Sequence, residues 1–286
     1  MPELAWVNGQ ITDIYEAKVP FMDHGYLFGY GVYEALKVYK GKVFGIEEHM
    51  DRFERSMKEI RIKPDLSRQE TIAIIKDLVA KSGLQEAFVY LQITRGVGPR
   101  NTPSLPNAKR TLAMFIAELA PLPEEVRKNG VKTIILKDDR WAHPHIKTLN
   151  LLPNILAKQI AEENDAFEAI LAKEDGTVTE CASSNVYAVF GDTIVTRPTD
   201  GKILSGITRL VLCKIIENNG FNYREDYFTT KELKEADEVF ITNTGAEVLA
   251  VTNIDGEKVG SGKPGPITQR LYELFMEEVY RSIGEA

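Results

Sequence analysis

The stretch Glu118-Leu119-Ala120-Pro121-Leu122-Pro123 constrains this chain more than any other. Each proline removes an amide donor and fixes φ near about −65°, so neither a helix nor a central strand runs through it. The 286 residues exceed one average domain. The chain therefore reads as a small N-terminal α+β domain (1–120), an interdomain linker (121–130) and a larger C-terminal domain (131–286).

In the first part Asn8-Gly9 supplies the two positive φ angles of a type I′ hairpin turn, and Lys40-Gly41 marks a second hairpin over 32–44. Met50, Phe53, Met57 and Ile60 recur at the spacing of one helical face, predicting a helix over 47–60. A second helix is expected over 71–81, stopped at Gly83, and strands over 87–95 and 111–117. In the second part strands are expected over 132–136, 168–172, 185–190, 193–196, 239–242 and 247–254. Helices are expected over 151–163, 207–218 and 268–282. Strands and helices mix without strict alternation, which indicates an α+β fold.

A net charge of −7 and a pI near 5.4 argue against non-specific nucleic-acid binding, which needs a basic face. No run of 18 apolar residues is present, and the first residues lack the basic and apolar regions of a signal peptide. Two cysteines, Cys181 and Cys213, fit a reducing cytoplasm. A cytoplasmic protein with small-molecule substrates, and neither nucleic-acid nor membrane partners, is expected.

Several short patterns carry chemistry. Lys147 lies in His145-Ile146-Lys147-Thr148-Leu149-Asn150-Leu151-Leu152, among apolar neighbours. Most lysines are solvated charges, but a half-buried amine is a nucleophile at neutral pH and can form a Schiff base with an aldehyde. Gly206-Ile207-Thr208-Arg209 opens a helix, where free N–H groups and the positive dipole end favour a phosphate. Thr244, in Thr242-Asn243-Thr244-Gly245, offers a second hydroxyl for the same purpose. Arg52 could balance the charge, although beside Asp51 and Glu54 it reads by itself as a solvated helix arginine. Glu180 follows a β-rich run; taken alone it is one more exposed glutamate, but a carboxylate there could keep a pyridine nitrogen protonated.

Other patterns fail. Gly29-Tyr30-Gly31 lacks the third glycine of a dinucleotide fingerprint, and Gly260-Ser261-Gly262-Lys263-Pro264 has a proline where a P-loop needs a hydroxyl. His143 and His145 could face one metal from an extended backbone, but no third ligand has convincing spacing, and no metal is expected.

Taken in order, the patterns resemble the fold type IV pyridoxal-phosphate aminotransferases, closest to the D-amino acid aminotransferases of class IV. Gly25-Tyr26-Leu27-Phe28-Gly29-Tyr30-Gly31-Val32-Tyr33-Glu34 looks like that family's N-terminal active-site strand. Glu48-His49-Met50-Asp51-Arg52 is similar to the phosphate-arginine stretch. Thr94-Arg95-Gly96-Val97-Gly98-Pro99-Arg100 resembles the loop that reaches the substrate carboxylate, in the family from the partner subunit.

The resemblance implies a smaller N-terminal domain, a larger C-terminal pseudo-barrel and a homodimer. It implies pyridoxal 5'-phosphate held by Lys147, Arg52, Glu180, Ser183, Leu204, Gly206, Ile207, Thr208 and Thr244. Lys147 would be both Schiff base and proton shuttle in a ping-pong transamination. Substrate contacts fall on Tyr33, Arg100 and Thr102, the last standing where the D-specific pattern carries a histidine. The activity implied is transfer between a D-amino acid, of the D-alanine or D-glutamate type, and a 2-oxo acid. Branched-chain L-amino acid aminotransferases and aminodeoxychorismate lyases share the framework and are the alternatives.

Overall fold

The computed structural model describes residues 3–100 and 108–285. Contacts divide the chain into two compact units: Met1–Pro121 with Ile146–Asn150, and Leu122–His145 with Leu151–Ala286.

The first unit contains β1 (Leu4–Val7), β2 (Gln10–Asp13), α1 (His24–Phe28), β3 (Gly31–Tyr39), β4 (Lys42–Val43), α2 (Ile46–Glu59), α3 (Arg68–Ser82), β5 (Ala87–Thr94) and β6 (Thr111–Glu118). The strands form one antiparallel sheet in the order β2-β1-β6-β5-β3-β4. Both hairpin turns take the expected positive φ, at Asn8-Gly9 and Lys40-Gly41. The helices α2 and α3 are as the periodicity indicates, and a Ser67–Glu70 capping box starts α3 slightly ahead of the periodic run.

The pleat sorts β3 and β5 by face. Val32, Leu36, Val38, Val89, Leu91 and Ile93 share a core with Met50, Phe53 and Met57 of α2 and Ile75 and Leu78 of α3. Tyr33, Tyr90 and Phe115 line the opposite face as a stacked row, with ring centroids 5.4 and 5.1 Å apart.

The expected strand over residues 25–34 is corrected in its first half. Asp23 accepts from the Gly25 amide and starts α1; Gly29, at φ 63°, ends it; strand begins only at Gly31. The local cap and the left-handed glycine outweigh the extended reading.

The second unit contains α4 (Glu124–Asn129), β7 (Val131–Lys137), α5 (Leu152–Glu163), β8 (Glu168–Ala172), β9 (Val178–Cys181), β10 (Asn185–Phe190), β11 (Thr193–Thr196), α6 (Ile207–Asn218), β12 (Asn222–Glu225), α7 (Thr230–Lys234), β13 (Glu238–Asn243), β14 (Glu247–Ile254), β15 (Glu257–Lys258) and α8 (Pro266–Ser282). Its nine-stranded mixed sheet runs β12-β11-β10-β13-β14-β7-β8-β9, with β15 on β14, and curls into a half-barrel. The core is the β-branched and aliphatic set Val186, Ala188, Val239, Ile241, Leu249 and Val251. No helix among the described residues is long and apolar enough to cross a membrane.

The short segment Ile146–Asn150 belongs with the first unit because β4 covers only the Val38–Tyr39 end of β3. The open edge at the other end is taken by this segment. Tyr33 N–H donates to the Lys147 carbonyl at 3.0 Å, Leu149 N–H donates to Gly31 at 3.1 Å, and Val32 bridges Thr148. An unpaired strand edge thus becomes the mount for a lysine.

Candidate active site

Lys147 is held by its backbone on both sides. Besides the bonds to β3, its N–H donates to the Ser56 hydroxyl of α2 at 3.4 Å. The amine donates to the Tyr33 hydroxyl at 3.4 Å and lies 4.4 Å from the centre of that ring. Tyr33 is in turn stacked on Tyr90, whose hydroxyl donates to Gln92 and is pushed well up in pKa by burial. The Lys147 amine therefore sits over an aromatic ring.

Arg52 is not a solvated helix arginine. It is 3% exposed and donates from Nε and Nη2 to Glu34 at 2.7 and 2.8 Å, a bidentate pair. Glu34 is fully buried, and its second oxygen also accepts from His49 Nδ1 at 2.7 Å. Burial alone would raise the Glu34 carboxyl; the Arg52 guanidinium and His49 outweigh it and hold the group well below the usual carboxylate range. Burial lowers His49, so its ring favours the neutral form. The pattern hinted at this: Glu34 falls at an inward position between Val32 and Leu36, where a carboxylate needs a partner. His49, Arg52 and Ser56 follow at helical spacing on α2. The sequence reading assigned no role to Glu34, His49, Ser56 or Tyr90.

Arg100 lies in the loop after β5, exposed, with its guanidinium 5.4 Å from the Phe28 ring. Thr102 lies outside the described residues.

In the second unit Glu180 is buried rather than exposed, at 4%. It pairs with Arg140, accepts from Asn185 Nδ2 at 2.9 Å and from the Leu204 N–H at 3.0 Å. Burial pushes its carboxyl up, and the Arg140 guanidinium and the Leu204 N–H oppose that rise. Arg140 is itself clamped by Asp138, whose other donor is the Thr179 hydroxyl at 2.7 Å. No local pattern links Arg140 to Glu180, which lies 40 positions away.

Gly206 is the extended N-cap of α6, and no side chain caps the helix start. Its amides, with buried Ile207 and Thr208, present uncapped donors at the positive end of a helix. A Cβ on Gly206 would meet Asn185 Oδ1 at 2.2 Å. A side chain there would have to displace Asn185, and the crowding atom belongs to the side chain whose other end holds Glu180. Asn185 also donates to the Leu204 carbonyl at 2.9 Å, so it links the expected pyridine carboxylate, ring-packing leucine and phosphate helix. The sequence reading quoted Asn185 without giving it a role.

Ser183 is exposed, and its hydroxyl is engaged by Glu168. Ser184 donates to the same carboxylate at 3.0 Å and accepts from Asn243 at 2.8 Å. Asn243 in turn accepts from the Ala246 N–H at 2.6 Å, fixing the turn that carries half-buried Thr244. His145 donates from Nδ1 to the Gly201 carbonyl at 3.0 Å, and among the described residues no group of three or more potential ligands gathers for a metal.

Each unit by itself carries groups that fit pyridoxal phosphate: the first mounts an amine over aromatic rings, and the second holds a buried carboxylate oriented by an arginine and an uncapped helix start crowded only by Asn185.

A family model described as amino-transferase class IV matches residues 31–254. A D-alanine aminotransferase of Staphylococcus haemolyticus is 43% identical over 271 residues, covering 94% of this chain and 95% of that protein. One of Bacillus licheniformis is 43% identical over 272 residues, covering 95% of each. Among solved structures, the T.th. branched-chain amino acid aminotransferase with pyridoxamine 5'-phosphate superposes with a TM-score of 0.90 at 29% identity, covering 100% of this chain and 96% of that one. The Escherichia coli branched-chain enzyme gives 0.91 at 26%, with the same coverage.

Proposed function

The chain belongs to the class IV aminotransferases, and from that premise we propose that it moves an amino group between D-alanine-type donors and 2-oxo acids. It is a pyridoxal-phosphate enzyme. One observation carries the choice of substrate hand: relatives bearing the name D-alanine aminotransferase are 40–43% identical over at least 94% of the chain, while the branched-chain structures cited above stand at 26–29%.

The cofactor, when bound, supplies an aldehyde for amines and a ring that accepts the electron pair released at the substrate Cα. Lys147 is the amine that holds it and, once released, the base that moves the proton at that carbon. The hydroxyl of Tyr33 accepts a hydrogen bond from Lys147 and thereby orients it. Glu180 provides the carboxylate for the pyridine nitrogen, with Arg140 and Asn185 setting its direction. Such preorganised charge is worth most in a buried site. Arg52, Gly206, Ile207, Thr208 and Thr244 bind the phosphate, Leu204 packs on the ring and Ser183 lies beside it. Arg52 keeps its orientation through Glu34, which leaves the guanidinium the geometry of a fixed fork. Tyr33 and Arg100 contact the substrate carboxylate.

The functional division is residues 1–120 and 131–286, joined by 121–130. A homodimer is part of the reading. Leu152, Ile155, Leu156 and Ile160 make an apolar stripe on α5 that is 68, 58, 48 and 40% exposed, and such a stripe favours a partner. Both cysteines are free thiols, which accords with a cytoplasmic setting.

The test is a half-reaction on the cofactor-loaded protein mixed separately with D-alanine, D-glutamate and L-leucine, following the change in the cofactor absorbance band. Conversion by the D-amino acids alone is expected. Conversion by L-leucine alone would reassign the chain to branched-chain substrates, and silence with all three, with pyruvate release from aminodeoxychorismate, would make it a lyase.

A further inference from the structure

The loop that carries Arg100 is tied to α1 by an unusual density of hydrogen bonds. His24 N–H donates to the Gly96 carbonyl at 3.0 Å, and Gly98 N–H donates to Met22 at 3.2 Å. Thr94 Oγ1 donates to the buried Asp23 carboxylate at 2.9 Å and accepts from Gly96 N–H at 3.1 Å. Asp23 also bridges Val97. A Cβ on Gly25 would meet Thr94 Cγ2 at 2.3 Å, so the two segments touch as closely as their backbones allow.

The last tie before Arg100 is a side chain. His24 Nε2 lies 3.2 Å from the Pro99 carbonyl. A carbonyl only accepts, so Nε2 is the donor in this bond. Nδ1 is buried and has no hydrogen-bond partner among the described residues, and the ring is 0% exposed, edge-on to Phe28 at 5.0 Å. A histidine kept for packing alone would leave both nitrogens to be satisfied at a cost an apolar ring avoids. Here one nitrogen is spent on the peptide that joins Pro99 to Arg100, while Phe28, four residues on along α1, lies under the Arg100 guanidinium. Both groups that locate Arg100 therefore come from α1.

We propose that His24 is a positioning residue for substrate binding: by donating from Nε2 to the Pro99 carbonyl it sets where Arg100 presents its guanidinium to the substrate carboxylate. This rests on the reading of Arg100 given above. His24 touches neither substrate nor cofactor in this role, so its loss weakens recognition of the carboxylate and leaves proton transfer at Lys147 intact.

The experiment compares His24→Gln with His24→Asn in the holoenzyme. The glutamine amide places its N–H near the position of Nε2, whereas the shorter asparagine amide falls at Nδ1 and cannot reach Pro99. His24→Asn is expected to raise KM for both D-alanine and the 2-oxo acid roughly tenfold, the effect of one lost hydrogen bond at the upper end of its usual worth, with kcat within about twofold. His24→Gln is expected to stay within about threefold of the wild-type KM. A primary amine without a carboxylate should react at the same rate in all forms. Arg100→Met should raise KM by itself, and His24→Asn should add nothing in that background.

Four results would overturn the proposal: equal KM values for the Gln and Asn variants, an equal loss with the carboxylate-free amine, independent multiplication of the two substitutions, or an unchanged KM in Arg100→Met. None of them bears on whether the wild-type protein converts D-alanine, which the half-reaction decides separately.

Discussion

Gly206→Ala isolates a single steric contact. Gly206 has φ −65° and ψ 142°, a conformation alanine adopts freely, so the substitution introduces no backbone strain. Its new methyl would stand 2.2 Å from Asn185 Oδ1, and an ordinary contact requires the amide to retreat by about 1 Å. That retreat stretches the Asn185 bonds to Glu180 and to the Leu204 carbonyl, both 2.9 Å. A hydrogen bond to a charged group is worth about 1.5–3 kcal/mol, and a neutral one about 1 kcal/mol. If about half of the total is lost, cofactor affinity falls roughly tenfold to thirtyfold, at about 1.4 kcal/mol per decade. The assay is a spectroscopic titration of the apoprotein with pyridoxal phosphate, with thermal unfolding of the apoprotein recorded alongside. Wild-type affinity in Gly206→Ala would refute the reasoning, because it would mean that Asn185 moves without cost to Glu180.

The remaining predictions concern charges. Lys147→Ala should abolish transamination while the protein still folds; a normal steady-state rate would end the assignment of the amine. Glu180→Gln should slow the D-alanine half-reaction by about 100-fold or more, the size of a lost preorganised charge, as read by single-turnover absorbance. Glu34→Gln removes the Glu34 carboxylate that buried Arg52 pairs with and should cost about 3–5 kcal/mol, measured by chemical denaturation near pH 7. The Glu34 carboxyl is depressed in the folded state, so its contribution is present above the ordinary carboxylate range and is lost as pH falls through the depressed value. Wild-type stability should therefore drop between about pH 5 and more acidic conditions more steeply than that of Glu34→Gln, and parallel curves would contradict the sign.

Local physics explains which elements were legible. Asn8-Gly9 and Lys40-Gly41 are readable as turns because positive φ is a property of two residues, and α2 because its apolar face repeats within a single helix. The start of α1 was missed: Asp23 caps it only over two residues, and five helical residues give no periodicity to read. The short strand β12 was missed because it pairs in parallel with β11, so no hairpin turn marks it in the sequence.

By itself, then, the sequence determined the kind of chemistry: a lysine among apolar neighbours, a glycine–hydroxyl helix start and a glutamate after a β-rich run, in an order that a class IV aminotransferase shares. Those signals sit within a few consecutive residues. The tertiary structure decided how each group is held. It set Ile146–Asn150 against the open edge of β3, more than a hundred positions away along the chain. It paired Glu34 with Arg52 across 18 positions and Glu180 with Arg140 across 40, and it pressed Gly206 against Asn185. No periodicity spans such separations; the partners meet because strand pairing and helix packing bring their backbones together, and a buried charge is tolerated only where that path delivers its counter-charge.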